Sequence, residues 1–153
     1  MNVGHYISLI DHSERALAKA FREVGTKHRD EPDVMVMCSH LASQCEGHVT
    51  ALQPFVERYK QSTSEDEPDR LHSDRFGGAR SGSLALLRDF HDLYLMATEA
   101  EICWTVIAQA AQALRDRELL AVVHTSEAQT SIHVDWLKTR IKQTAPQTLV
   151  AAR

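Results

Sequence analysis

The sequence predicts an all-α protein, a four-helix bundle made of two antiparallel helical hairpins joined by a long crossover. Three observations lead there. Apolar residues recur with helical rather than alternating period in four separate stretches. Glycine and proline punctuate those stretches. One long polar segment divides the chain between the second and third stretches.

The first helix is expected from about His5 to Val24, where Tyr6, Ile10, Leu17 and Phe21 share a face and Gly25 offers a C-terminal stop. The second opens on Asp30-Glu31-Pro32-Asp33, an acidic start with proline at a position that needs no backbone donor, and continues towards Tyr59. Pro54 should kink or shorten it, because proline removes one N–H and crowds the carbonyl of Thr50. The third begins near Ser83 and runs to about Leu114, with Leu87, Phe90, Tyr94, Ala97, Trp104 and Ala108 on one stripe. Asp116 then caps a fourth helix that reaches about Gln143 and ends before Pro146, leaving 146–153 as a flexible tail.

Short connections within each half make each pair an antiparallel hairpin. The polar segment 61–82 carries Ser62-Thr63-Ser64, the acidic run Glu65-Asp66-Glu67-Pro68-Asp69, and Gly77-Gly78. A connection of that length is expected to be a crossover along the bundle within a single domain covering 1–153.

Composition narrows the function classes. With 153 residues, 43% of them hydrophobic, the chain has enough apolar material for one substantial core. The net charge of −4 comes from interspersed acids and bases, so there is no cationic stripe for a phosphate backbone and no nucleic-acid partner is expected. No window reaches the roughly 18 to 20 consecutive apolar residues of a membrane span, and Met1-Asn2-Val3-Gly4 lacks a signal peptide's basic-then-apolar order; the expected location is cytoplasmic. Cys38, Cys45 and Cys103 are odd in number and include no Cys-x-x-Cys pair, which favours buried thiols over a disulfide framework or a zinc knuckle.

The chemistry-bearing pattern is a repeated glutamate-histidine pair. Glu14 and His48 in the first half, and Glu101 and His133 in the second, stand at nearly equal separations, each on the apolar stripe of a different helix. Burying an ionisable group without a partner costs several kcal/mol, so four such groups in one core need each other, a proton or a metal. Glu99 cannot share the face of Glu101 and is expected to point outward. His40 falls near the side of His48, at the rim of any site, while His5, His12, His28, His72 and His91 read as surface or loop residues. No His-Glu-x-x-His, glycine-rich phosphate loop or Gly-x-Ser-x-Gly turn is present.

This helix order, with its long crossover and inward Glu and His positions, resembles the ferritin-like superfamily, and in particular its small bacterial stress-associated members. Members that bind two metals place a lone Glu on helices one and three and a Glu-x-x-His motif on helices two and four. The resemblance implies that Glu14 and Glu101 are the lone carboxylates and that His48 and His133 close the two motifs. It also implies a homodimer or larger assembly. Where each motif glutamate would stand, the chain has Cys45 and Thr130. Two carboxylates balance one divalent ion rather than two, so the set suits a single Zn²⁺, Mn²⁺ or Fe²⁺. Cys45, one turn before His48, would add a thiolate and favour zinc; Glu127, one turn before Thr130, would restore a carboxylate.

Three readings follow. One is a non-catalytic, stress-associated bundle whose metal site has decayed, with no cofactor and Glu–His hydrogen bonds in its place. Another is a metal-binding protein with a mononuclear or atypical dinuclear Fe, Zn or Mn centre. The third is a di-iron oxidase or peroxidase that recruits Glu127. Whether the chain is an enzyme is left open by its sequence.

Overall fold

The four expected helices are realised in a computed structural model that describes residues 2–60 and 76–151. Its helices are α1 (Val3–Lys27), α2 (Pro32–Arg58), α3 (Ala85–Leu114) and α4 (Arg117–Pro146). Among the described residues there is no strand. Pro32 opens α2, and the Asp116 side chain accepts a hydrogen bond from the Leu119 N–H at 3.0 Å to cap α4. α3 ends where Arg115 turns into the left-handed region with φ 56.

Three details differ from the sequence expectation. Gly25 does not stop α1; it lies buried inside the helix, where a Cβ would come within 3.0 Å of the Cys38 Cβ, so its role is close approach of α1 to α2. α2 runs unbroken through Pro54, which sits on an exposed face. Beyond Pro146 the chain continues as a π-helical turn from Gln147 to Ala151.

α1 packs on α2 and α3 on α4, and the two hairpins meet through a close α1–α3 seam and a sparse α2–α4 seam. Contacts at the helix ends give the directions. His28, just past α1, holds Asp89 near the start of α3, so α1 and α3 are antiparallel. Arg58 and Tyr59 at the end of α2 hold Asp116 at the start of α4, so α2 and α4 are antiparallel as well. The end of α2 and the start of α3 therefore lie at opposite ends of the bundle, which is the geometry a crossover requires. Most of the expected crossover 61–82 lies outside the described residues, the Ser62–Ser64 and Glu65–Asp69 runs included.

One continuous core includes Ile7, Ile10, Leu17 and Phe21 from α1, Leu41, Ala42 and Leu52 from α2, Phe90, Leu93 and Ile107 from α3, and Leu119, Val123 and Leu137 from α4. Each large side chain so buried contributes about 1.5–3 kcal/mol. Charged groups mark its ends. Asp89 is fully buried, yet it accepts from the Arg80 backbone N–H and the Arg80 guanidinium and pairs with His28, so its charge is well partnered. No helix among the described residues is long and apolar enough to cross a membrane.

Candidate functional site

At the middle of the bundle the apolar stripe of α1 carries Glu14, which is 1% exposed. Its Oε1 accepts a hydrogen bond from the Trp104 indole N–H at 2.9 Å, across the α1–α3 seam. Its Oε2 lies 3.2 Å from His48 Nδ1, at ion-pair distance but not aligned as a hydrogen bond. On α3 Trp104 shares its inward stripe with the small buried residues Ala97, Ala100, Ala108 and Ala111.

His48 and His133 face each other near the α2–α4 seam with rings nearly parallel, 17° apart at a centroid distance of 6.2 Å. Phe21 meets the edge of His133, and Trp104 meets that of His48. Each imidazole reaches across the seam to a glutamine. His48 Nε2 is 2.7 Å from Gln129 Oε1, and His133 Nε2 is 2.8 Å from Gln44 Oε1. A carboxamide oxygen can only accept, so both Nε2 atoms carry the hydrogen. The second nitrogen of the two rings then differs. In His48, Nδ1 lies 3.2 Å from the Glu14 carboxylate oxygen, which favours the protonated ring. In His133, Nδ1 is buried with no hydrogen-bond partner.

The protonation tendencies follow. Burial works against a charged His48, but the adjacent Glu14 carboxylate, with help from Gln129, outweighs it and raises its pKa. His133 is pushed down to about 4 by burial, against the opposing charge of the nearby Glu14. Burial, then the charge of Glu14, keeps the Cys45 thiol well above its ordinary value, and burial takes Cys38 and Cys103 to about 12. These are inert thiols rather than nucleophiles.

The expected site residues are thus partly assembled. Glu14, His48, His133 and Cys45 are buried together, Cys45 beside the Glu14 carboxylate. Glu101 is not with them. It stands three residues before Trp104, roughly 60° round the helix, is only half-buried, and takes no part in the contacts of Glu14 or His48. Glu127 accepts from the Thr105 hydroxyl at 2.8 Å on the outer side of the α3–α4 seam. Thr130 is buried but donates to the Ser126 carbonyl of its own helix at 2.7 Å. Glu99 lines a separate hollow between α1 and α3 with His12, Glu23 and Met96. His5 is buried and His28 half-buried, against a surface expectation for both.

Several donors of this set are already engaged, while Glu14 Oε2, His48 Nδ1 and His133 Nδ1 are buried with no hydrogen-bond partner. Both Nε2 lone-pair positions are occupied by hydrogens directed at glutamines, one carboxylate oxygen is taken by Trp104, and Glu101 is elsewhere. Among the described residues, no group of three or more His, Cys, Asp or Glu side chains is placed to hold a metal ion. The residues that sequence reasoning passed over are Gln44, Gln129 and Trp104. The signal for the glutamines was present, since each precedes a core histidine by four residues, one helical turn, in Gln44-x-x-x-His48 and Gln129-x-x-x-His133.

Between α2 and α4 the sparse seam opens into a cleft of about 570 Å³, lined on one side by His40, Gln44, Gly47 and His48 and on the other by Ala121, Thr125 and Gln129. Comparison with protein-family models, with curated proteins and with solved structures finds no match for this chain.

Proposed function

We propose that this protein is a non-catalytic helical bundle, a ferritin-like frame whose ligand set has decayed into a metal-free hydrogen-bonded layer, used as a stress-associated binding module. One observation carries the reading: the imidazoles of His48 and His133 both spend their Nε2–H on glutamines of the opposite hairpin. A metal bound at Nε2 of either ring would have to break that bond and leave a carboxamide oxygen unpaired at a cost of about 1–3 kcal/mol. The thiols are buried, and burial keeps that of Cys45 well above its ordinary range, which supports a non-catalytic role.

The test is elemental analysis of untagged protein before and after anaerobic incubation with Fe²⁺ or Zn²⁺, beside a Glu14→Ala/His133→Ala double variant. The expected result is no stoichiometric metal in either protein. Stoichiometric uptake by the parent that the double variant loses would overturn the reading in favour of a metal centre, and oxygen consumption with two irons per chain would make it an oxidase.

Self-association is a second part of the proposal. Leu95, Ile102 and Val106 are all exposed on the side of α3 opposite Trp104 and form one apolar stripe along that helix.

A further inference from the structure

The α2–α4 cleft is walled by small residues, but it differs from an ordinary packing defect in three ways. First, Gly47 stands in the middle of α2, where glycine costs roughly 0.5–1 kcal/mol of helix stability relative to alanine. Nothing lies within 4 Å of the Cβ it lacks, so no helix-packing contact explains it. A side chain at that position would project into open space on the wall of the cleft. Second, His48 is buried to 4% exposure, yet it lines the cleft, whereas its partner Glu14 does not. The pair therefore presents its imidazole rather than its carboxylate to the cleft, and no Asp or Glu lines the cleft. Third, the two glutamines have their oxygens committed to His48 and His133, so each presents a carboxamide NH₂ as its uncommitted group, and among the described residues no acceptor meets either one. Hydroxyls of Ser43, Thr125 and Ser126 surround them.

A cavity of about 570 Å³ falls in the range that holds small molecules, roughly 300–1,000 Å³. Its polar groups are biased towards donors and its remaining wall, Ala51, Ala121 and Val122, is apolar. We propose that the cleft between α2 and α4 binds a small monocarboxylate with an apolar body, its carboxylate on the NH₂ groups of Gln44 and Gln129 beside His48 and its body along Gly47, Ala51, Ala121 and Val122. The inference rests on the metal-free reading of His48, because a metal on that ring would rearrange the same hydrogen bonds.

The experiment uses the full chain after EDTA treatment, with residual metal measured on the same sample. Octanoate is titrated by calorimetry and by ¹⁵N NMR of the glutamine carboxamides and the Trp104 indole, with octanol and octylammonium as controls. Saturable one-to-one binding of octanoate is expected, with shifts at Gln44 and Gln129 and with both controls weaker by at least about tenfold. Gly47→Leu should fill the cleft and weaken octanoate by a similar factor without lowering the melting temperature; Ala121→Leu, on the opposite wall, should do the same and serves if the first variant does not fold. No saturable binding in metal-free protein, equal binding of octanol or octylammonium, or undiminished binding by the filled variants would each overturn the cleft assignment. Binding that appears only when stoichiometric metal is present would overturn the metal-free reading together with it.

Discussion

His48 donates through Nε2 to Gln129 of the opposite hairpin at 2.7 Å, and the relationship is reciprocal, because His133 donates to Gln44 at 2.8 Å. Each glutamine lies one turn ahead of the histidine on its own helix, so the two bonds cross between α2 and α4 at the seam where apolar packing is thinnest. The crossed pair thus substitutes for packing there. Gln129→Leu should lower stability by about 1–3 kcal/mol, since it orphans a buried N–H. A double-mutant cycle of His48→Ala with Gln129→Leu should give a coupling of about 0.5–3 kcal/mol in urea unfolding. Strictly additive losses would show that the bond contributes nothing of its own.

The two histidines should pull stability in opposite directions with pH. His133 is held at about 4 in the folded chain against about 6.5 unfolded. Between those values the unfolded state binds the proton more readily, so stability falls as pH drops from about 6.5 towards about 4. The full loss is on the order of 3 kcal/mol. His48 has the opposite sign: its raised pKa stabilises the fold below its unfolded value, and that contribution is lost as pH rises through the folded one. Urea unfolding from pH 4 to 7 should therefore give a falling acid limb in the parent, and His133→Leu should flatten that limb. An unchanged slope in the variant would assign the acid sensitivity to the carboxylates instead.

Much of this fold was legible because helical period and caps are local signals. Asp116, Pro32 and the stripes around Phe21 and Trp104 each act within a turn or two of their own position. The site was less legible because it is decided by rotation about a helix axis. Glu101 and Trp104 are three residues apart, and either could have faced Glu14; it is Trp104 that does, and that is a packing outcome between helices. The paired histidines drew attention to metal chemistry because ionisable residues are the obvious ligands. Neutral glutamines one turn away satisfy the same nitrogens without any charge, and only the placement of one hairpin against the other reveals it. Gly25 was misplaced for a related reason: a glycine near a helix end signals a stop, whereas its contact with Cys38 belongs to a different helix.

If the outer stripe of α3 is a self-contact, a charge placed at its centre should disperse the assembly. Ile102 is the most exposed of its three apolar residues and lies clear of the core. Sedimentation velocity should find the parent as a dimer or larger species, and Ile102→Glu should be monomeric with an unchanged unfolding midpoint at low protein concentration. A monomeric parent would remove the proposal of self-association.

Two glycines on neighbouring helices should respond in opposite ways to the same substitution. At Gly25 an added methyl would sit 3.0 Å from the Cys38 Cβ, which cannot swing away, so α1 and α2 would have to separate there. Gly25→Ala gains about 1 kcal/mol of helix propensity, but an overpacked core site costs typically about 1–3 kcal/mol, and the net effect expected is destabilisation. At Gly47 the same methyl meets nothing within 4 Å, so only the propensity gain remains and Gly47→Ala should raise stability by about 0.5–1 kcal/mol. Thermal and urea unfolding of the two variants side by side checks both signs. Stabilisation by Gly25→Ala would mean that the α1–α2 seam relaxes more easily than its contacts imply, and destabilisation by Gly47→Ala would mean that the cleft wall is not open.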